Sequence, residues 1–278
     1  MSEADPSASS GQGPSAGSGG TLEQAVEEAA QLIHAASHVV ALVGAGLSVE
    51  SGIPPFRGPG GLWTKYGEPD LRDYERFVEN PKQWWEERIS RKGSYQELID
   101  ALAQAKPSGG HMALKEMEDL GYLRHIITQN IDNLHQEAGS RAVTEIHGNR
   151  TKLRCMGCSH RWPLDQFAID ELPPTCPECG GMVKSDTVMF GEPIPRDAMA
   201  ECIRQSEMCD CMLLVGTSAV VYPAAGFPVD VKRSGGRLIE VNPNETPLTE
   251  LSDVVLRAPA GESLALVVSR LREMAGAR

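Results

Sequence analysis

The chain has 278 residues, 41% of them hydrophobic, which is enough for one sizeable core and a small appended module. Its 38 acidic and 26 basic side chains give a formal net charge of −12. Non-specific nucleic-acid binding depends on Lys and Arg meeting phosphates, so this charge argues against a nucleic-acid partner and favours cationic partners such as lysine-rich peptides. No run of eighteen apolar residues is present, which argues against a membrane span.

The first twenty residues, MSEADPSASSGQGPSAGSGG, contain no Lys or Arg and almost no hydrophobic side chains. Residues 1–20 therefore fit neither a secretory signal nor a transit peptide, and we expect a disordered tail. Seven cysteines without such a signal indicate a reducing, cytoplasmic compartment. Those outside the C-x-x-C pairs are expected to be small buried hydrophobic side chains: Cys202, Cys209 and Cys211.

Helical and strand-like segments alternate from Thr21 onward. A helix signal begins there, with Gln24 placed for a capping box, and HVVALVGAG then predicts a buried strand that ends in a tight turn. The segment SGIPPFRGPGGLW is too rich in Gly and Pro for regular structure, which predicts a long functional loop. A helical insertion is predicted from residue 70 to about 105.

Further strands are predicted in HIITQN, CDCMLLVGTS and GRLIEVNP, and a closing helix in SLALVVSRLREM. Strands that alternate with helices predict an α/β domain with a parallel, doubly wound sheet, formed by residues 21–150 and 187–278. Residues 151–186 interrupt this alternation with a Pro-rich loop and four cysteines. We therefore expect a small module inserted into the larger domain.

The four cysteines form the pairs CMGC and CPEC, with seventeen residues between the inner members. This spacing is typical of a zinc ribbon with the ligands Cys155, Cys158, Cys176 and Cys179. Four thiolates complete a tetrahedron and leave no position for water or substrate, so the spacing predicts a structural ion. A redox pair is the lesser alternative.

Glycines and polar residues follow the predicted strands. Gly44 and Gly46 resemble a dinucleotide-binding fingerprint, but Val49 replaces the third glycine, so this motif alone hardly differs from an ordinary strand-to-helix turn. The segments GTS, beginning at Gly216, and VNPN, which includes Asn242, follow two other strands. Since the carboxyl ends of parallel strands form the ligand crevice, the three together favour a nucleotide.

Candidates for chemistry lie in TQNIDNLH and EIHGN. Asn130 and Asp132 either cap the following helix or orient a ribose or an amide; capping is favoured for Asp132, and Asn130 stays open. His147 ends an apolar stretch where a loop begins, so it could face the crevice and accept a proton from a hydroxyl. His111 and His135 lie in helical patterns, where packing or capping roles are expected.

Taken in order, GAGLSVESGIPPFRGPGGLW, TQNIDNLH, HGN, the C-x-x-C pairs, FGE, GTS and VNPN resemble the sirtuins, which are NAD-dependent protein lysine deacylases. The resemblance extends from residue 22 to about 275. It implies a Rossmann-type large domain, a small zinc domain, and acyl-lysine proteins as partners that enter the cleft between them. The cofactor-binding residues that it implies are Gly44, Ala45, Gly46, Glu50, Phe56, Arg57, Trp63, Gln129, Asn130, Asp132, Gly216, Thr217, Ser218, Asn242 and Ala260.

The resemblance also implies the chemistry. The acyl oxygen of the lysine attacks C1′ of the nicotinamide ribose, nicotinamide leaves, and His147 acts as general base on the ribose hydroxyls while the acyl group migrates. Asn130 is the second catalytic candidate. NAD is consumed as a co-substrate, and one zinc ion is structural.

Two segments bear on the acyl group that the enzyme removes: GPGGLW and WWEERISRK resemble the branch of the family that includes desuccinylases. Those enzymes pair Tyr and Arg three residues apart, and the matching positions here are Arg88 and Arg91. Two arginines at this spacing share a helix face and could bind a carboxylate. We favour the alternative, a solvated face beside Glu86 and Glu87, and expect deacetylation as the baseline, with acidic deacylation (succinyl or malonyl) in addition.

Two competing functions remain open. One is a mono-ADP-ribosyltransferase or NAD hydrolase on the same fold; His147 argues against it because acyl migration needs a base. The other is a non-enzymatic NAD sensor or zinc-ribbon binding module. The complete set of Asn130, Asp132 and His147 argues against an inactive sensor.

Overall fold

The computed structural model describes residues 21–58, 60–90 and 94–276. The predicted tail at residues 1–20 and the specificity candidate Arg91 lie outside this part. The helices are α1 (Leu22–Ala35), α2 (Leu62–Tyr66), α3 (Asp73–Glu79), α4 (Pro81–Ser90), α5 (Ser94–Gln104), α6 (Gly109–Asp119), α7 (Leu134–Glu137), α8 (Arg196–Met208), α9 (Gly226–Arg233) and α10 (Ala260–Gly276). The strands are β1 (Val39–Val43), β2 (Leu123–Thr128), β3 (Val143–Glu145), β4 (Lys152–Cys155), β5 (Arg161–Pro163), β6 (Val183–Ser185), β7 (Cys211–Val215), β8 (Arg237–Val241) and β9 (Val254–Leu256).

The main sheet has the strand order β3-β2-β1-β7-β8-β9, and all of its neighbouring strands are parallel. This confirms the predicted parallel, doubly wound sheet, to which the short strands β3 and β9 are added. The order matches that of a Rossmann-type sheet, in which successive strands are added on one side of β1 and then, from β7 onward, on its other side. The switch point therefore lies between β1 and β7.

Both faces of the main sheet are buried. Helices α1, α6 and α10 cover one face, where Ile33, Leu114 and Leu264 pack against alternate strand residues. The opposite face packs against Cys202 of α8 and Phe227 of α9. Strands buried on both sides become continuous apolar runs, which is why VVALV and CMLLV could be recognised as strands.

A second sheet lies within the cysteine segment. It is antiparallel with the order β5-β4-β6. Helix α4 packs on it: the buried Trp85 contacts Leu153 and Val183, and its Nε1 atom donates to the Val183 carbonyl oxygen at 3.2 Å. The helical insertion is thus attached to the cysteine segment, a contact that nothing in the sequence pattern predicted.

Local signals set the ends of several elements. The capping box at the start of α1 is confirmed, because Thr21 Oγ1 accepts from the Gln24 amide at 3.3 Å and Gln24 Oε1 accepts from the Thr21 amide at 2.9 Å. The loop prediction for SGIPPFRGPGGLW is wrong at its end, where α2 begins at Leu62. There the chain folds back, and the Leu62 amide bonds to the Pro55 carbonyl oxygen at 2.9 Å.

None of the helices in the described part of the chain is both long enough and apolar enough to cross a bilayer.

Candidate active site

A cleft of about 1260 Å³ lies at the carboxyl ends of β1, β2, β7 and β8. His147, Arg88 and every predicted cofactor residue except Asp132 line it. Its opposite wall is the segment after β6, from Thr187 to Ile194. The structure therefore brings together residues as far apart in the sequence as Gly44 and Ala260, at the switch point where such sheets bind ligands.

The glycines at the switch point allow two loops to touch backbone to backbone. The amides of Gly44 and Gly46 donate to the carbonyl oxygens of Val215 and Gly216, at 2.9 and 2.8 Å. A Cβ atom on Gly44 would lie 2.7 Å from the Thr217 Cα atom, which is too close. Because both amides bond to protein, the two glycines shape the floor of the cleft through this close backbone contact.

A chain of hydrogen bonds fixes the side chain of Asn130. Its Nδ2 atom donates to the Gly44 carbonyl oxygen at 3.1 Å and to Ser48 Oγ at 3.0 Å, and Ser48 donates to Asp132 Oδ2 at 2.7 Å. Because both amide hydrogens are used, Oδ1 is the side-chain atom that a ligand can contact. Asp132 also accepts from the Leu134 amide at 3.0 Å, so the predicted capping role is present as well.

Ser48 was not among the predicted site residues. It is buried and belongs to the short 3-10 helix Ala45–Ser51 that follows β1. The available signal was its place in GAGLS, where a hydroxyl follows the glycines of the first strand end. Only the structure shows that this hydroxyl joins Asn130 to Asp132.

His147 follows β3 and is half-buried in the cleft wall. Its Nδ1 atom lies 3.1 Å from the carbonyl oxygen of Gln129. A carbonyl oxygen only accepts hydrogen bonds, so Nδ1 carries the proton and Nε2 has a free lone pair. Burial lowers the pKa of His147 below its ordinary value of 6.5, although the bond to Gln129 opposes this shift. The neutral ring can therefore accept a proton at neutral pH.

The turn that carries His147 docks against the segment after β6. Gly148 has a φ of +74°, and a Cβ atom there would lie 2.0 Å from the Asp186 carbonyl oxygen. The Val188 amide donates to the His147 carbonyl oxygen at 2.9 Å. Only glycine satisfies both the left-handed backbone and this close approach. The position of His147 thus depends on how the cysteine segment continues into the main domain.

An aromatic group closes one end of the cleft. The ring centroids of Phe56 and Trp63 are 4.8 Å apart, and Trp63 meets Phe190 edge to face at 5.5 Å. The guanidinium of Arg57 lies 4.4 Å from the Trp63 ring centre and pairs with Glu68 at 3.0 Å. This end of the cleft can exclude water around a planar ligand.

The other end is tied together by polar contacts between strand ends. Asn242 Nδ2 donates to the Thr217 carbonyl oxygen at 3.0 Å, and Gln129 Nε2 donates to Thr217 Oγ1 at 2.9 Å. Glu50 Oε1 accepts from the Gly261 amide at 2.9 Å, at the start of α10. Three strand ends and the start of α10 therefore form one continuous surface.

Arg88 lies in the cleft wall, half-buried, with its guanidinium carbon 5.2 Å from the Trp84 ring centre. The solvated face that we favoured from the sequence is wrong for Arg88, although Glu86 and Glu87 are exposed as expected. Arg88 is four residues after Trp84 on α4 and so shares its inward face.

The four predicted zinc ligands lie together, with all Sγ atoms within 4.8 Å of one another. Cys155 and Cys179 Sγ are 3.5 Å apart, and Cys158 and Cys176 Sγ are 3.8 Å apart. Four bonds of about 2.3 Å to a tetrahedral zinc ion place the sulfur atoms about 3.8 Å apart, so the arrangement of the four Sγ atoms fits this ion. None of the four lines the cleft. A closed tetrahedron away from the cleft suits a structural role.

The remaining histidines of interest lie behind the cleft. His111 Nδ1 accepts from the Ser108 amide at 3.1 Å, at the start of α6, and its ring centre is 4.9 Å from that of His135. Burial lowers the pKa of His111 to about 4 and that of His135 to about 3. The predicted capping and packing roles are confirmed.

Comparisons with known proteins agree with this geometry. The profile of the Sir2 family matches residues 44–223. An NAD-dependent protein deacylase of Pyrococcus abyssi is 42% identical over 254 residues, which cover 90% of this chain and 99% of the relative. A solved complex of a Sir2 homolog with NAD has a TM-score of 0.74 at 39% identity, covering 89% of this chain and 94% of that one.

A further solved structure contains Sir2 with a deacetylated p53 peptide and 3′-O-acetyl ADP-ribose. Its TM-score is 0.74 at 35% identity, and the match covers 88% of this chain and 98% of that one. The similarity therefore includes both the main sheet and the cysteine segment.

Proposed function

This chain belongs to the Sir2 family, and we propose that it is an NAD-dependent protein lysine deacylase that transfers the acyl group of lysine to ADP-ribose and releases nicotinamide. One observation carries this proposal. Asn130 and His147 face one cleft, and the His147 tautomer leaves Nε2 as a proton acceptor. An NAD sensor has no need of a positioned base, and a hydrolase has no need to move an acyl group between oxygens.

NAD is proposed to lie across the strand ends. The adenosine half would contact Gly216, Thr217, Ser218 and Asn242, and the phosphates would pass over residues 44–46. The nicotinamide would lie towards Phe56, Arg57 and Trp63, with Gln129, Asn130, Glu50 and Ala260 completing the lining. Support comes from the volume of the cleft and from its place at the switch point.

The residues of the chain then act on the reaction as follows. NAD supplies an electrophilic C1′ carbon and a good leaving group. The amide of Asn130, fixed by Ser48 and Gly44, orients the ribose and the incoming acyl oxygen. The Nε2 atom of His147 takes the proton of a ribose hydroxyl, which makes this oxygen nucleophilic towards the acyl carbon. The aromatic end at Phe56 and Trp63 keeps water away until the acyl group has moved. Water then adds, the bond between the acyl carbon and the lysine nitrogen breaks, and lysine and O-acyl-ADP-ribose are released.

Zinc is proposed to be one structural ion on Cys155, Cys158, Cys176 and Cys179. We further propose the division into a Rossmann-type domain (21–150 and 187–278, with a helical insertion at about 70–105) and a zinc-binding domain (151–186). The separate antiparallel sheet around the cysteines supports this division.

Acidic deacylation is proposed as an activity in addition to deacetylation. Arg88 lies in the cleft on the ring of Trp84, where a carboxylate-bearing acyl chain could reach it. The test compares Arg88→Ala and Arg91→Ala on succinyl-lysine and acetyl-lysine peptides, and the acetyl peptide serves as the matched control. A selective loss on succinyl-lysine is expected. Undiminished succinyl activity in both variants would end the carboxylate-binding proposal.

The deacylase proposal is tested with NAD and a panel of acetyl-, succinyl- and longer acyl-lysine peptides, followed by mass spectrometry. Deacylated peptide with O-acyl-ADP-ribose is the expected result, and His147→Ala should lack it. Free ADP-ribose alone, or ADP-ribosylated protein, would support the hydrolase or transferase. No turnover would support the sensor.

The partners are proposed to be acyl-lysine proteins, without direct nucleic-acid binding, in the cytoplasm. A net charge of −12 and the free cysteine thiols support this proposal. Cell fractionation with an antibody against the chain tests the location. Gel-shift assays with duplex DNA at low salt test the absence of nucleic-acid binding.

A further inference from the structure

Four charged side chains are buried between the antiparallel sheet and the segment that follows it. The exposed fractions of the side chains are 6% for Arg154, 2% for Asp186, 0% for Lys184 and 1% for Glu192. Arg154 Nη2 lies 2.5 Å from Glu192 Oε1, Lys184 Nζ lies 3.1 Å from Glu192 Oε2, and Arg154 Nε lies 3.0 Å from Asp186 Oδ1. We call these four side chains the buried ion cluster. The charges of these four side chains balance, and the partly exposed Arg161 also pairs with Asp186 Oδ1 at 3.0 Å.

Stability is a weak explanation for such a cluster. Taking charges out of water is costly, and apolar side chains of similar volume usually give equal or higher stability. The contacts of the cluster with the backbone point to a different role. Glu192 Oε2 accepts from the Met189 amide at 2.9 Å, and Lys184 Nζ donates to the carbonyl oxygens of Ser185 and Thr187 at 2.8 and 2.7 Å. The cluster therefore fixes the path of the backbone from 185 to 192.

That backbone forms one wall of the cleft. Residues 187–192, which we call the wall loop, line the cleft, and Val188 is hydrogen-bonded to His147. The proposed NAD contacts are mostly on the strand ends across the cleft, which leaves the wall loop on the side where acyl-lysine enters. Phe190 of the wall loop meets Trp63, so a shift of the loop would also disturb the aromatic end.

The two cations of the buried ion cluster come from the sheet that the cysteines hold. Arg154 precedes the zinc ligand Cys155 on β4, and Lys184 lies on β6, which pairs with β4. Glu192 is the carboxylate that both cations share. It is thus the link between the cysteine-held sheet and the wall loop.

We propose that Glu192 is a positioning residue for the acyl-lysine substrate. Its carboxylate forms ion pairs with Arg154 and Lys184 and thereby holds the wall loop in the position in which it contacts the substrate beside His147. This inference rests on the proposed deacylase function. It also assigns zinc an indirect part in activity, because the ion keeps the two cations in place.

The experiment uses Glu192→Gln, which keeps the shape and removes the charge, and Lys184→Met/Glu192→Gln, which restores the charge balance of the cluster. Both should retain one zinc ion per chain and raise the KM for acetyl-lysine peptide about tenfold or more, with the KM for NAD unchanged. The double variant should recover thermal stability without recovering the peptide KM. A purely structural role predicts recovery of both.

Glu240→Gln is the matched control. Glu240 is equally buried, accepts from Thr246 and Thr249, and pairs with Arg257 at 3.5 Å beneath the opposite end of the cleft. This variant should leave the KM for peptide unchanged. A native peptide KM in the double Glu192 variant, or an equal rise in the KM for NAD, would overturn the inference.

Binding of a fluorescent acetyl-lysine peptide distinguishes failure of this inference from failure of the deacylase proposal. It is measured by anisotropy with ADP-ribose in place of NAD, so that no turnover consumes the peptide. A native enzyme that binds peptide without turnover contradicts the deacylase reaction, whereas weaker peptide binding by both Glu192 variants still supports the positioning role. Native-like binding by both variants contradicts that role, whatever the turnover.

Discussion

The Nδ1 atom of His147 lies 3.1 Å from the carbonyl oxygen of Gln129, and this contact decides which ring nitrogen can act as a base. Gln129 directly follows β2, and its own amide donates to the Val43 carbonyl oxygen at 2.9 Å. The acceptor that fixes the His147 tautomer is therefore part of the sheet. Because this acceptor is a main-chain carbonyl oxygen, changing the side chain at position 129 does not remove it. The availability of Nε2 as a base therefore depends on the course of the main chain.

The pH profile follows from the lowered pKa of His147. A general base works in its neutral form, so activity is present above this pKa and lost as pH falls through it. Because burial places the pKa below 6.5, kcat/KM for acetyl-lysine peptide should be flat from about pH 7 to 8, with the acid limb centred below 6.5. Rates measured between about pH 5 and 8, with His147→Ala as control, check this. An acid limb centred above 6.5 would contradict it.

Gly148→Ala should be severely destabilising. The new Cβ would meet the Asp186 carbonyl oxygen at 2.0 Å, in addition to the strain of a φ of +74°. The free energy of unfolding should fall by about 3 kcal/mol or more, with deacylation lost. Gly121→Ala is the matched control: its φ is +80° but no atom lies within 4 Å of the added Cβ, so it should cost only about 1 kcal/mol. Equal losses in urea unfolding would show that the contact with Asp186 is unimportant.

Stability should fall in mild acid because of buried neutral histidines. His125 is buried beside Thr144 Oγ1 at 2.8 Å, and burial lowers its pKa to about 4. The unfolded chain takes up this proton near pH 6.5 and the folded chain does not, so the contribution is complete above 6.5 and is lost as pH falls towards 4. Over this window His125 alone should lower the free energy of unfolding by about 1.4 kcal/mol per pH unit.

The measurement is urea unfolding at a series of pH values for the native chain and for His125→Gln, whose amide can still bond to Thr144. The native curve should lose stability more steeply below about pH 6 than that of the variant. Parallel curves would show that His125 titrates alike in both states.

Removal of zinc should unfold the small sheet and stop deacylation. Trp85 bonds to the Val183 carbonyl oxygen and belongs to the hydrophobic cluster around this sheet, against which Trp84 and Trp162 also pack. Tryptophan fluorescence therefore reports on the module. A chelator or Cys155→Ala should shift the emission to longer wavelength and abolish turnover. A variant that lacks zinc, stays folded and keeps full turnover would contradict even the structural role of the ion.

Much of the fold could be predicted because both faces of the main sheet are covered. Strands such as VVALV and CMLLV are continuous apolar runs, and glycines mark where they end. Strands β3 and β9 were harder: each has three residues, and Val255 and Val143 are only half-buried at the sheet edges. Such short edge strands are defined by pairing with a neighbour, which a local pattern does not contain.

The site was predictable as a set of residues but not as a set of contacts. Motifs pointed to Asn130, His147 and the cysteines; they did not show that Ser48 links Asn130 to Asp132. The position of Arg88 was also predicted wrongly. The neighbouring Glu86 and Glu87 suggested a solvated helix face, and both are exposed, but Arg88 is half-buried and lies on the ring of Trp84, one turn earlier. Long-range hydrogen bonds and the direction of a helix face depend on tertiary packing.

The central claim is that the acyl group of lysine moves to ADP-ribose through His147, and the most direct measurement is the product balance of a single reaction. With acetyl-lysine peptide and NAD, nicotinamide, deacetylated peptide and O-acetyl-ADP-ribose should form in equal amounts, and His147→Ala should form almost none of the last two. Nicotinamide released in excess over deacetylated peptide, with free ADP-ribose as its partner, would contradict the account.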